Sequence, residues 1–170
     1  MAQAEFTDAI ALLKADHRTV EELFEKFEKA SGSSAKQKLC HQICVELKIH
    51  TMIEEEIFYP ALRGKIEDDT LDEAYVEHDG AKVLVNDLES ASPDADFYDA
   101  KVTVLSEEVK HHVREEEAAK EGMFAQARQA DVDLVALRDQ LLARKKELMA
   151  QEKSAGLPLA VPSAVNLVTA

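Results

Sequence analysis

The chain has no tryptophan, two cysteines, four prolines and five glycines in 170 residues, and only 5% of its residues are aromatic. Strand-and-turn architectures place glycine and proline at their turns, so this supply is too thin for an all-β fold and favours long helices. Two cysteines cannot build a disulfide framework. Cys40 and Cys44 lie four apart on an expected helix and read as reduced thiols of a reducing compartment. The first ten residues, MAQAEFTDAI, carry no basic stretch followed by an apolar run, so a cytoplasmic location is expected. A long hydrophobic run is also missing. The most apolar stretch, Leu157 to Val168, contains Pro158 and Pro162 and falls short of the ~20 residues of a spanning helix, so no membrane role is expected. Basic charge is scarce too. Twenty Lys and Arg stand against 34 Asp and Glu, a net charge of −14, and such a surface repels phosphate backbones. Nucleic acid is therefore not an expected partner.

What the chain does have is 46% hydrophobic residues in helical rhythm, within the length of one domain. Phe6, Ile10, Leu13, Val20, Phe24 and Phe27 mark one face of a first helix, with Thr7 and Asp8 as candidate caps. Ser31 to Ser34 ends it. A second helix from about Ala35 carries Leu39, Ile43, Leu47, Ile57 and Phe58 and is expected to stop at Pro60. Asp68 or Asp69 is placed to cap a third, whose stripe is Leu71, Tyr75, Val85 and Leu88 and which ends near Ser90. Ser92-Pro93-Asp94 turns into a fourth, with Val102, Leu105 and Val109, fading near Gly122. Asp131 and Asp133 restart a fifth, with Leu134, Leu137, Leu141 and Leu148 on one face and Arg144, Lys145 and Lys146 toward its end. The pattern predicts an all-α, antiparallel up-down four-helix bundle over residues 1–130, an appended helix over 131–154 packed on its outside, and a flexible tail over 155–170.

Six polar residues fall on the inward stripes. His17 sits seven residues from both Ile10 and Phe24; His50 and Glu54 continue the line of Ile43 and Leu47. His78 lies seven from Leu71 and Val85, and His112 and Glu116 continue Leu105 and Val109. The set is two-fold: 61 residues separate His17 from His78, and 62 separate both His50 from His112 and Glu54 from Glu116. Buried carboxylates cost several kcal/mol each without a compensating charge, so a cation is the economical resolution. Imidazole with carboxylate suits Fe, Mn, Zn or Cu rather than Ca or Mg, and six ligands in two halves suit two ions with bridging glutamates. His111 and Glu115 share the His-x3-Glu spacing, but helical phase favours His112 and Glu116. His41 is half a turn off the ligand face and is set aside. Glu55 and Glu115 are candidate acceptors for ring N–H groups, and Tyr75 for the pocket wall.

These residues resemble the hemerythrin-like, HHE cation-binding domains. The likeness runs from Asp8 to about Arg128 and rests on Asp16-His17, on the run from His50 to Pro60, on Glu77-His78, and on the run from His111 to Glu117. It implies a four-helix bundle holding a non-haem di-iron centre with an oxo or hydroxo bridge, ligated by His17, His50, Glu54, His78, His112 and Glu116. Manganese or zinc would suit the same donors. The oxygen-carrying members have a further histidine where this chain has Lys82. That change leaves an open or water-filled position, or brings an ammonium near a bound anion, and it points away from simple oxygen carriage. The resulting expectation is a protein that binds or turns over oxygen, nitric oxide or peroxide. The alternative is an iron or oxygen sensor whose metal-dependent fold is read by a protein partner. Bulk iron storage fits a closed six-ligand site poorly.

Overall fold

The structure is a computed structural model that describes residues 6–167; Val168, the last residue of the apolar stretch, lies outside them. The described residues form helices and no strands. Helix α1 (Ala9–Lys29) begins where the Asp8 carboxylate accepts the Ala11 N–H, a side-chain cap. Helix α2 (Ser33–Ile53) continues through a π-helical turn (Glu54–Phe58) into the short α3 (Tyr59–Leu62). Helices α4 (Asp68–Ser90) and α5 (Tyr98–Glu117) complete the bundle, followed by the short α6 (Met123–Gln129) and the long α7 (Leu134–Ala155).

Helices α1, α2, α4 and α5 close a ring, each packed on the next. Side-chain pairs give the sense of each packing. His17 meets His50 while Phe27 meets Lys36, so α1 and α2 run antiparallel. His78 meets Glu54 while Val85 meets Cys44, so α2 and α4 do too. Phe27 lies against Tyr98 at one end of the α1–α5 pair and His17 against Glu117 at the other. The expected outer helix is α7, which lays Leu137, Leu141 and Leu148 against α1, α2 and the π turn.

Three local expectations change. The second helix does not stop at Pro60, because the π turn absorbs the proline without breaking the chain's helical course. The Tyr59 N–H reaches back five residues to the Glu54 carbonyl, and Pro60, which has no N–H to offer, falls in the first turn of α3. Neither Asp68 nor Asp69 caps α4; Glu67 holds that position and the Asp68 carboxylate instead accepts the Gly64 N–H. The segment near Gly122 folds into α6, which closes one end of the bundle with Met123, Phe124 and Ala127. Gly122 is required there, since a Cβ would lie 2.5 Å from the Ala118 carbonyl oxygen.

Residues 157–167, expected as part of a flexible tail, have no helix or strand and are tied along α4. The Ala160 N–H and carbonyl both bond Asn86, and three successive N–H groups from Ser163 to Val165 bond the Asp79 carboxylate. Among the described residues no helix is long and apolar enough to cross a membrane.

The apolar core is in two parts. One, at the α6 and α7 end, contains Ile10, Leu13, Ile53, Phe58, Leu71 and Phe124; the other, toward the α1–α2 loop, contains Val20, Phe24, Ile43, Val85 and Leu105. A buried polar layer separates them: His17, His50, Glu54, His78, His112 and Glu116 are each less than 10% exposed.

Candidate metal centre

The bundle brings together all six inward polar residues. His17 on α1 and His50 on α2 place their Nε2 atoms 3.2 Å apart, and His78 on α4 and His112 on α5 do the same. The two carboxylates lie between the pairs. Glu54 Oε2 is 3.2 Å from His50 Nε2 and 3.3 Å from His78 Nε2. Glu116 reaches His17 through Oε2 at 3.3 Å and His112 through Oε1 at 3.5 Å. Each glutamate thus spans one imidazole of each half. Donor atoms of His17, His50, Glu54 and Glu116 all lie within 4.8 Å of one another, as do those of Glu54, His78 and His112. The two groups share Glu54.

Helical phase explains the convergence. His50 and Glu54 are four apart, as are His112 and Glu116, so each pair shares a face one turn along its helix. His111 and Glu115, one position earlier, fall on the surface, where His111 pairs with Glu77 and Glu115 at 3.2 Å. His41 is exposed beside Glu152. Cys40 and Cys44 are free and buried in the second core cluster.

Carboxylates hold the outer ring nitrogens of three of the histidines. His17 Nδ1 lies 2.7 Å from Glu117, His78 Nδ1 2.9 Å from Glu55, and His112 Nδ1 2.5 Å from Glu77. An imidazole that donates its Nδ1–H to a carboxylate turns a bare Nε2 lone pair the other way. Lone pairs and carboxylate oxygens then face one small volume. His50 is the exception, its Nδ1 standing 3.7 Å from Asp16.

The interior favours positive charge. Burial pulls the His78 imidazole down, but Glu54 and Glu55 outweigh it and carry the pKa up to about 9. Burial likewise opposes a charged His50, and Glu54 and Asp16 hold it well above the usual imidazole range. Glu54 is driven up by burial and down, decisively, by His50 and His78. Glu54 Oε1 and Glu116 Oε2 are buried without a hydrogen-bond partner. Buried carboxylate oxygens without hydrogen bonds, set beside converging imidazoles, fit a cation.

Tyr59 is the residue that periodicity misses. Its hydroxyl lies 3.2 Å from Glu54 Oε2, 3.1 Å from His78 Nε2 and 3.0 Å from Glu116 Oε1, inside the donor set. Tyr75 instead packs edge-on against the outer side of the Tyr59 ring. Glu77 and Glu117, which orient His112 and His17, are also missed; Glu55 orients His78 as expected, whereas Glu115 serves only the surface His111. Lys82 points outward to Glu55, Asp79 and Ser163.

On the side away from Tyr59, a cavity of about 30 Å³ lies among Val20, Leu47, Ala81, Val109 and Val113, against the four histidines. It has room for a water or a diatomic molecule.

A helical bundle whose apolar core is interrupted by converging imidazoles and carboxylates is a cation-binding bundle. The Hemerythrin HHE cation binding domain matches residues 8–127, and the chain belongs to that family. A crystal structure of a Hemerythrin HHE cation binding domain-containing protein, the Rv2633c homolog from Mycobacterium kansasii, superposes with a TM-score of 0.72. It is 20% identical and covers 89% of this chain and 96% of that one, a likeness of fold. A DNA nickase from Nostoc sp. (strain PCC 7120 / SAG 25.82 / UTEX 2576) is 30% identical over 107 residues, 63% of this chain. The match spans 30% of that relative's length.

Proposed function

We propose that His17, His50, Glu54, His78, His112 and Glu116 hold two iron ions, and that the centre binds or turns over oxygen, nitric oxide or hydrogen peroxide. The observation that carries this reading is the pair of buried carboxylates, each set between imidazoles of both halves. The family and the donor set support iron as the occupant, with manganese and zinc as the competing ones. Iron in such a site supplies one-electron redox chemistry toward small oxidants.

The chain's own residues do the rest. Glu54 and Glu116 offset the ions' charge in a dry interior. Glu55, Glu77 and Glu117 hold three imidazoles in orientation, which in metal sites typically affects affinity ~10–100-fold. The cavity of about 30 Å³ beside the histidines is large enough for a diatomic molecule. Tyr59 places a hydroxyl that can donate to a carboxylate at the centre. The Lys82 ammonium is neutralised outside the centre, so the seventh-ligand position of the oxygen carriers has no donor here.

Anaerobic loading with ferrous iron followed by hydrogen peroxide tests the reading. Repeated peroxide consumption per centre supports catalysis, and a single stoichiometric oxidation supports binding or sensing.

A second reading, an iron or oxygen sensor, draws on the split core. Because the polar layer divides the apolar core, metal occupancy and bundle stability are linked. Chelation that unfolds the bundle and releases a protein partner would favour it. We place the protein in the cytoplasm on its free thiols, and we expect no nucleic acid contact from a surface of net charge −14. The match to part of a DNA nickase makes a mobility-shift assay with nicked and intact duplexes the check on that expectation.

A further inference from the structure

We propose that residues 157–167 form a strap that positions His78 through Ser163 and Glu55, and thereby sets how long the centre retains its metal. The inference rests on the metal-centre reading above.

The strap is built, not merely adjacent. Gly156 ends α7 with φ +78°, a left-handed conformation that turns the chain off the helix axis. Pro158 and Pro162 then limit its freedom. Ala160 exchanges two hydrogen bonds with Asn86, at 2.7 and 2.9 Å. Beyond it the N–H groups of Ser163, Ala164 and Val165 converge on the Asp79 carboxylate at 2.8, 2.6 and 2.7 Å, and Lys82 Nζ adds a fourth donor at 3.0 Å. Asp79 is 1% exposed and directly follows His78 on α4.

The strap also touches the residue that aims His78. Ser163 Oγ donates to Glu55 Oε2 at 2.6 Å, while Glu55 Oε1 lies 2.9 Å from His78 Nδ1. Lys82 Nζ completes the junction, within 3.1 Å of Ser163 Oγ and 2.9 Å of Glu55 Oε2. The other carboxylates near the ring nitrogens are braced by helical residues. Glu117 is held by Arg18, Glu77 by His111, and Asp16 by Lys145 of α7. Glu55 alone among them takes part of its bracing from irregular chain.

A cavity of about 220 Å³ remains between the strap and Lys48, Thr51, Met52, Glu55 and Lys82. Lifting the strap would join that space to solvent, remove one of the donors on Glu55 and strip three from Asp79. His78 would then lose its fixed orientation, and its grip on the metal would weaken.

Cobalt(II) release tests this. Full-length wild type, Ser163→Ala, Ser163→Thr and Asp79→Asn are loaded with cobalt(II) and challenged with a chelator, and the visible cobalt bands are followed with time. Partners that orient ligands typically change affinity ~10–100-fold, and Ser163 acts one bond further out, so Ser163→Ala should release about threefold faster or more. Asp79→Asn should release about tenfold faster, and Ser163→Thr, which keeps the hydroxyl, should stay near wild type. The metal-free thermal midpoint of Ser163→Ala should match wild type. Release from Ser163→Ala and Asp79→Asn at the wild-type rate overturns the strap, as does an equal loss of stability with and without metal. A wild type that takes up no cobalt overturns the metal centre itself, a separate failure.

Discussion

The Tyr59 hydroxyl lies 3.2 Å from Glu54 Oε2, although five residues of ideal α-helix would leave the two side chains about 140° apart. The π turn from Glu54 to Phe58 closes that angle by widening one turn of the helix. The regular helix before the turn keeps Glu54 in phase with His50, four residues earlier, and the turn swings Tyr59 in behind it. A wholly buried phenol thus joins the imidazole and carboxylate donors.

Tyr59→Phe removes one hydroxyl and keeps the packed ring. A hydrogen bond to a charged group contributes about 1.5–3 kcal/mol, so the metal-free protein should lose about that much in urea unfolding. The metal-loaded form should lose less, because the bound cation satisfies Glu54 and Glu116. Equal losses in both forms would contradict a hydroxyl whose carboxylate partners are taken over by the bound cation.

Glu54 belongs to both donor groups, and His17 to one. Glu54→Gln should therefore lower the affinity for both ions, whereas His17→Ala should lower it chiefly for one. His111→Ala, on the surface, should leave the metal content of the purified protein unchanged. Metal content per chain, read by elemental analysis across the three variants, checks this. A full loss of metal in His111→Ala would place the ligands on the wrong face of α5.

Phe124 ties α6 to the centre: it stacks on His17 with ring centroids 5.8 Å apart and meets Phe58 edge-on. Phe124→Ala should cost about 3–5 kcal/mol, the range for a buried aromatic truncated to alanine. The urea midpoint should fall with the slope unchanged, and hydrogen exchange should quicken in α6 before the bundle helices. Protection of α6 at wild-type level would contradict its role as the closing element.

Much of this arrangement was legible in the sequence because helices convert spacing into direction. His17, His50, Glu54, His78, His112 and Glu116 each follow apolar residues at intervals of three, four or seven, and those intervals place them on buried faces. What was not legible depends on departures from that rule. Tyr59 faces inward only through the π turn, so a 3.6-residue period points it elsewhere. Glu77 and Glu117 neighbour inward residues in sequence and sit at the bundle's edge, where a charged side chain reads as solvated. Alpha6 is too short for a periodic signal, and its cue was Gly122, where two backbone segments approach closely. The tail's hold on Asp79 comes from backbone N–H groups, which no residue pattern announces.

Chelation separates the two functional readings. Stripping metal leaves Glu54 and Glu116 with orphaned oxygens and returns the job of charge balance to protonated histidines. The apo bundle should keep its helices by circular dichroism and melt at lower temperature, since metal bound only to the folded state stabilises it by mass action. Complete helix loss on chelation would favour the sensor reading over a preformed catalytic centre.

The central claim is that two iron ions share Glu54 and Glu116. Metal analysis of the purified protein, with its visible spectrum recorded before and after oxygen and peroxide, tests it most directly. The account predicts two irons per chain and visible bands that change on addition of peroxide. One zinc per chain with a featureless spectrum would contradict it.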